Sequence, residues 1–191
     1  MGRLVREEKL RGVHPQLVLL AKSWTVQLSF NIEILSGVRT NAEQQRLWEQ
    51  GRTSPGRIVT QAQTSALSPH GRRFFQGSAW GCAFDAMPLD SEGNIQWDAN
   101  GRPTPEGIQR LRMMSITASR QGCVWGGEWT TFPDLDHWQL MDWRKAPAAP
   151  DSAPTPLGDE RVVASDESDF SDVIGGNSTV PATSPPEDGS S

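Results

Sequence analysis

Phe132-Pro133-Asp134-Leu135-Asp136-His137-Trp138-Gln139-Leu140 is the stretch of this sequence that most constrains the fold. Its second half alternates polar and apolar residues from His137 to Leu140, which predicts a final strand with one face in the core. Its first half places Asp134 three residues before His137. This spacing suits a metal site, because carboxylates and imidazoles both bind metal ions. A loop acid beside a surface histidine gives the same spacing, so that interpretation remains open.

The composition divides the chain of 191 residues into a domain over residues 1–145 and a tail over residues 146–191. The tail is rich in Pro, Ser, Ala, Thr, Asp and Gly and holds few large apolar residues. Such a segment buries too little surface to offset chain entropy, so we expect it to be disordered. It carries nine acids and one base, which leaves 14 acids and 17 bases in the domain. The domain is therefore mildly basic although the whole chain is acidic.

Charge and cysteine content exclude several classes of function. A mild positive balance suits an anionic polymer or surface, but it falls short of the basic stripe of a nucleic-acid binder. The two cysteines, Cys82 and Cys123, are too few for a disulfide scaffold and lie among apolar residues. No run approaches the roughly 20 apolar residues of a membrane span, and residues 1–12 lack the apolar core of a signal peptide. We expect a monomer made in the cytoplasm.

The remaining periodicities predict a small α+β fold, with flanking helices around a central antiparallel sheet. The loop over residues 52–76 is long for a compact domain, and such loops are usually functional. Thr40 and Glu43 have the spacing of a capping box, which predicts the start of a short helix. The patterns predict helices over residues 15–30, 44–50 and 104–122, and strands over residues 30–34, 81–88 and 137–140.

Three residues of types that zinc accepts fall at strand edges or in the long loop: His70, Asp85 and His137. Three protein ligands leave a fourth position for water, which is the arrangement of a hydrolytic zinc site. Asp134 would then lie near that water as a general base. Arg39, at the end of a predicted strand, would stabilise the oxyanion that develops on an attacked carbonyl. Glu128 and Asp136 either orient a ligand histidine or are solvated loop acids, and the second interpretation is favoured.

Several ordered blocks together resemble the VanY-like zinc peptidases, and most closely the phage endolysin and bacterial L-alanyl-D-glutamate endopeptidases. The resemblance covers most of residues 13–143. The blocks are Ser36-Gly37-Val38-Arg39-Thr40, Gln44-Gln45-Arg46-Leu47-Trp48, Gly51-Arg52-Thr53, Ser68-Pro69-His70, Gly81-Cys82-Ala83-Phe84-Asp85, Trp125-Gly126-Gly127-Glu128-Trp129 and Phe132 to Trp138.

The resemblance implies roles and a substrate. It implies zinc ligands at His70, Asp85 and His137, a general base at Asp134, and Arg39 near the scissile carbonyl. It also implies hydrolysis of the L-alanyl-D-glutamate bond in the peptidoglycan stem peptide. Since residues 1–12 lack a signal peptide, we expect either a phage lysis protein that reaches the wall after holin-type release or a wall-degrading component carried by a virion. Two alternatives stay open: a D-alanyl-D-alanine carboxypeptidase, and an inactive wall-binding or virion-structural protein on the same fold.

One spacing departs from the family pattern. The family places its Asp seven residues after its His in S-x-H-x-x-G-x-A-x-D, whereas Asp85 follows His70 by fifteen. Either eight residues are inserted around residues 72–79, or Ser78 occupies the ligand position. We favour the insertion, because Ser68-Pro69-His70 keeps the triplet and serine is a poor zinc ligand.

Overall fold

The computed structural model describes residues 1–75, 78–98 and 101–145. Its main sheet has five strands in the order β1-β2-β5-β7-β6. These strands are β1 (Leu4–Val5), β2 (Ile32–Ser36), β5 (Ala83–Pro88), β6 (Cys123–Trp125) and β7 (His137–Leu140). A second sheet of two strands contains β3 (Arg72–Phe75) and β4 (Ser78–Gly81). The predicted tail over residues 146–191 lies outside the described residues.

The predicted α+β class is confirmed, and the sheet is antiparallel except at one edge. Strand β2 pairs with β5, β5 with β7, and β6 with β7, all antiparallel. The short strand β1 is the exception, since it runs parallel to β2. Its connection to β2 passes through a helix, and a crossover of that kind allows parallel pairing. No periodicity predicts β1 or β6, because neither strand exceeds three residues.

Within the described residues, three α-helices accompany the sheet: α1 (Pro15–Gln27), α2 (Asn41–Glu49) and α3 (Pro105–Arg120). Each begins at a residue whose side chain accepts a hydrogen bond from the first turn. His14 Nδ1 accepts from Gln16 N at the start of α1. At α3, Thr104 accepts from the Gly107 backbone N–H and is followed by a proline, as expected for a helix start.

The capping box predicted for α2 is present. The Thr40 hydroxyl accepts from Glu43 N at 3.2 Å, and Glu43 Oε2 accepts from Thr40 N at 2.8 Å. These two bonds satisfy backbone donors that a helix start otherwise leaves unpaired. They also fix the point where the chain turns from Arg39 into the helix.

The core lies between the sheet and the pair α1 and α3. Phe84 of β5 and Trp138 of β7 are directly paired and fully buried. The Trp24 ring of α1 packs 4.9 Å from the Trp138 ring and 5.8 Å from Phe84, between ring centroids. The Trp24 indole N–H donates to Met114 O of α3, so the burial of this aromatic ring leaves no polar group unpaired.

The alternation of β7 decides what lies on the other face of the sheet. Trp138 and Leu140 face the core, so His137 and Gln139 face away from it. On β5, Asp85 is the register partner of His137 and shares that face. Neighbouring residues of β7 thus lie on opposite faces of the sheet, one apolar and one polar.

The segment expected to be an insertion folds as a hairpin. Strands β3 and β4 pair from Arg72 with Gly81 to Phe75 with Ser78. The prediction of an irregular loop through residue 76 is therefore wrong at its end, where four residues form β3. The side chains of residues 73–79 lie outside the described part of the chain. Among the helices that the structure describes, none has the length and apolar content needed to cross a bilayer.

We predict that Thr40→Ala lowers the free energy of unfolding by about 1 kcal/mol, because it removes the hydroxyl that caps α2. Chemical denaturation followed by circular dichroism measures the change. Thr40→Ser retains an oxygen at that position and should restore most of the loss. Equal stability of Thr40→Ala and the unsubstituted protein would show that the cap contributes nothing.

Candidate metal centre

Three neighbouring strands bring the polar residues of the sheet to one place. Ser36 at the end of β2 is the register partner of Asp85 on β5, and Asp85 is the register partner of His137 on β7. Directly paired residues of antiparallel strands lie on the same face, with Cβ atoms about 5 Å apart. The pairing therefore forces the carboxylate of Asp85 against the imidazole of His137.

His70 reaches the same place from the loop before β3. The Ser68 hydroxyl accepts from His70 N at 3.2 Å, Pro69 O accepts from Cys82 N at 2.7 Å, and Arg39 N donates to His70 O at 2.9 Å. These bonds hold the loop against the segments before β5 and after β2. The hairpin β3–β4 thus leaves the chain after His70 and returns before Asp85, so the spacing of fifteen residues still brings both side chains together.

The three side chains form a nearly equilateral triangle of ligand atoms. His70 Nε2 lies 3.2 Å from Asp85 Oδ1, His137 Nδ1 lies 3.2 Å from the same oxygen, and the two nitrogens lie 3.1 Å apart. All three residues are buried. A tetrahedral zinc ion with bonds of about 2.0 Å needs ligand atoms about 3.3 Å apart. The triangle therefore fits one small divalent ion without rearrangement.

The outward nitrogens of both imidazoles fix where their protons lie. His70 Nδ1 is 2.8 Å from Gly37 O, a backbone carbonyl that can only accept, so His70 carries its proton on Nδ1. His137 Nε2 is 3.0 Å from Gln139 Oε1, which favours a proton on Nε2. Both inward nitrogens then present lone pairs toward the Asp85 carboxylate. Three converging lone pairs repel one another unless a cation lies between them, so the donor set suits a metal ion.

The electrostatics of the triangle also favour positive charge. Burial opposes ionisation of Asp85, but His70 and the Arg39 guanidinium hold its pKa well below its usual range. Burial likewise opposes a charged His137, yet its hydrogen bond to Asp85 and the Asp85 charge raise its pKa. Burial and Arg39 lower the pKa of His70. Metal binding therefore competes with a proton on His137.

Arg39 contacts the triangle at the carboxylate of Asp85. Its Nη2 donates to Asp85 Oδ2, and its Nε donates to Ser36 Oγ at 3.1 Å. Asp85 thus has one oxygen toward the two histidines and the other toward Arg39. The expectation for Arg39 was a contact with a developing oxyanion, and the structure adds a second task, which is to hold Asp85 in position.

A glycine turn places the loop that carries Asp134. Gly126 O accepts from Asp134 N at 3.0 Å, and a Cβ on Gly126 would lie 2.6 Å from Asp134 O. The Trp125 indole N–H donates to Leu135 O at 2.7 Å and ties the same loop to β6. Only glycine permits this approach at position 126. The loop therefore brings Asp134 within electrostatic reach of His137.

The interpretation of Asp136 as a solvated acid is wrong. Burial raises its pKa to about 9, with added effects from the Asp85 charge and from a hydrogen bond to Asp134. Sequence reasoning also missed Gln139, whose signal was its place two residues after His137 on an alternating strand. Trp129 is partly exposed, and its ring centroid lies 5.1 Å from that of His137.

Comparisons with known proteins bear on this geometry. A family profile described as D-alanyl-D-alanine carboxypeptidase matches residues 61–140, which include all three residues of the triangle and Asp134. Over these residues the chain is similar to that peptidase family. This similarity agrees with the prediction of a peptidase, and the triangle supplies a place for a metal ion.

Two proteins that are similar to this chain are described as endopeptidases. The peptidoglycan L-alanyl-D-glutamate endopeptidase CwlK of Bacillus subtilis (strain 168) is 29% identical over 120 residues, which are 63% of this chain and 66% of that protein. The match thus spans a little under two thirds of the relative. The crystal structure of the Serratia marcescens L-Ala D-Glu endopeptidase ChiX covers 76% of this chain and 94% of its own, at 24% identity and a TM-score of 0.48.

We predict that Gln139→Leu weakens metal affinity by about tenfold, because His137 Nε2 loses the acceptor that fixes its protonation. Competition with a zinc chelator at constant pH measures the affinity. Gln45→Leu makes the same change on α2 and should bind metal as the unsubstituted protein does. If Gln139→Leu binds metal with unchanged affinity, the amide plays no part in the site.

Proposed function

We propose that this protein is a zinc-dependent peptidase that hydrolyses the L-alanyl-D-glutamate bond of the peptidoglycan stem peptide. The observation that carries the proposal is the triangle of His70, Asp85 and His137, with inward lone pairs and a loop carboxylate beside it. Its support from relatives is the similarity to CwlK, a protein described as acting on that bond.

In this proposal His70, Asp85 and His137 hold the zinc ion. Bound zinc lowers the pKa of water toward neutrality and polarises the carbonyl of the scissile bond. The protein residues supply what the ion does not. Gly37 O and Gln139 orient the two imidazoles, and Arg39 orients the carboxylate of Asp85. Burial of the three ligands excludes competing water from the triangle.

We assign the general base to Asp134. Its carboxylate takes a proton from the attacking water and then delivers it to the leaving amine, as a base near the scissile bond must do. The hydrogen bond with Asp136 gives Asp134 a neighbour that fixes its orientation. The glycine turn at Gly126 holds the backbone of the same residue. Asp134 is not one of the three residues of the triangle, so a role as base does not compete with a role as metal ligand.

Arg39 has a second proposed task beyond holding Asp85. Its guanidinium carries five N–H donors, and Asp85 and Ser36 take two of them. The side chain also lines an open cavity beside the triangle. We assign its remaining donors to the carbonyl oxygen of the bond that is cut, where negative charge develops.

A second candidate reaction is D-alanyl-D-alanine carboxypeptidase activity, which the description of the matching family favours. Digestion of purified peptidoglycan by the zinc-loaded protein, followed by mass spectrometry, separates the two. New amino termini on glutamate support the endopeptidase. Release of free D-alanine with intact L-alanyl-D-glutamate linkages would support the carboxypeptidase instead. A folded protein that binds no zinc and releases neither product would be a wall-binding or virion-structural protein.

The setting that we propose is phage lysis, either as an endolysin or as a virion component that degrades the wall. The supporting observation is the mild excess of bases over acids in residues 1–145, which suits an anionic wall. Clearing of bacteria with permeabilised membranes by the purified protein, in the same digestion experiment, is the expected outcome.

We predict that Asp134→Ala lowers kcat by about 10² to 10⁴-fold while zinc stays bound, because a general base is removed and no ligand is lost. His70→Ala should lose both zinc and activity. Asp142→Ala, an exposed acid just after β7, is the matched control and should retain both. Zinc content and peptide hydrolysis are measured on the same samples. Loss of zinc from Asp134→Ala, or full activity of His70→Ala, would contradict the assigned roles.

A further inference from the structure

A second feature lies beside the metal centre, on the side of Arg39. It is a cavity of about 340 Å³, open to solvent and lined by Ser36, Arg39, Glu43, Arg46 and Leu47. Its walls come from the end of β2 and one face of α2. Residues 43, 46 and 47 fall at helical spacings of three and four, so their side chains share that face.

The position of the cavity relates it to the metal centre. Ser36 is the register partner of Asp85, so this cavity wall lies one strand away from a proposed ligand. Arg39 contacts both places, since it pairs with Asp85 and also lines the cavity. The cavity and the triangle therefore adjoin one another through Arg39.

The charge of the cavity is positive. Arg39 and Arg46 contribute two guanidinium groups, and Glu43 contributes one carboxylate. The Glu43 carboxylate is already held by the Thr40 N–H and hydroxyl at the start of α2, at 2.8 and 3.0 Å. In the part of the chain that the structure describes, the Arg46 side chain makes no ion pair or hydrogen bond. Arg46 is thus a cation next to a peptidase site with its donors available.

We propose that this cavity binds the free carboxylate of the residue that follows the scissile bond, and that Arg46 is the residue that selects for it. The inference rests on the proposed function. A glutamyl residue uses one of its two carboxyl groups to continue the peptide, so the other remains anionic close to the scissile nitrogen. Guanidinium groups bind carboxylates through paired N–H donors, and Leu47 offers an apolar contact for the glutamyl methylenes.

The test compares two peptides that differ only in that carboxylate. One carries D-glutamate after L-alanine, and the other carries the same residue with its free carboxylate converted to an amide. The zinc-loaded protein should cleave the acid with a kcat/KM about fivefold to tenfold higher, because Arg46 is exposed and its ion pair is partly screened. In Arg46→Gln the two peptides should become equivalent, through a rise in KM for the acid and not through kcat.

Arg112→Gln is the matched control, since Arg112 is an exposed arginine of α3 that does not line the cavity. It should keep the preference for the acid. A preference that survives in Arg46→Gln, or equal kcat/KM values in the unsubstituted protein, would overturn the assignment. These outcomes leave the L-alanyl-D-glutamate reaction itself in place, so they are distinct from a failure of the proposed function.

Binding provides a readout that does not depend on hydrolysis. Calorimetry with the zinc-loaded Asp134→Asn protein measures the affinity of both peptides without turnover. Tighter binding of the acid that disappears when Arg46→Gln is added supports the proposal, and equal affinities overturn it. A D-alanyl-D-alanine peptide and its terminal amide form the third arm. An Arg46-dependent preference confined to that pair would assign the cavity to a terminal carboxylate and overturn the glutamyl assignment.

Discussion

The carboxylate of Asp85 is the centre on which the rest of the polar face depends. It is buried, it is ionised, and it meets two imidazole nitrogens on one side and a guanidinium on the other. A buried carboxylate is costly unless its charge is compensated by several partners. Here the partners come from β2, β7 and the loop before β3, so the same electrostatic requirement joins segments far apart in the chain. The geometry of the candidate metal centre therefore depends directly on the register of the sheet.

The residues that orient the proposed ligands are distinct from the acids proposed to take part in the reaction. Gly37 O, Gln139 and Arg39 each contact the outer side of one proposed ligand, so each ligand has an assigned direction before any ion binds. The acids of the 132–136 loop form a separate pair at the edge. In a site organised in this way, substitution of some residues lowers the metal affinity and substitution of others lowers the reaction rate. The two effects can be measured independently. Single substitutions can therefore test the proposed roles separately.

The sequence predicted those parts of the structure whose signals are local. The capping box at Thr40, the helix start at Thr104 and the alternation after His137 all depend on residues within a few positions, and all three are present. The strands β1 and β6 are too short to show a period, and they exist because the sheet offers them partners. The expectation for Asp136 failed for a related reason, since burial and its contact with Asp134 depend on how a loop packs. The contact of Arg39 with Asp85 likewise depends on β2 and β5 being neighbours, which no local pattern records.

The two strands of the hairpin β3–β4 pair with each other at the base of the hairpin. Arg72 pairs with Gly81 at its base, and Gly81 is in turn bonded through its backbone to Gly12 and His14. The length of chain beyond that base has little bearing on the position of His70 or Asp85, since the entropy of closing a loop grows only slowly with its length. The hairpin is therefore an exchangeable module. Its length or sequence can change and alter the surface beside the triangle, while the strands and the loop that hold Asp85 and His70 stay in place.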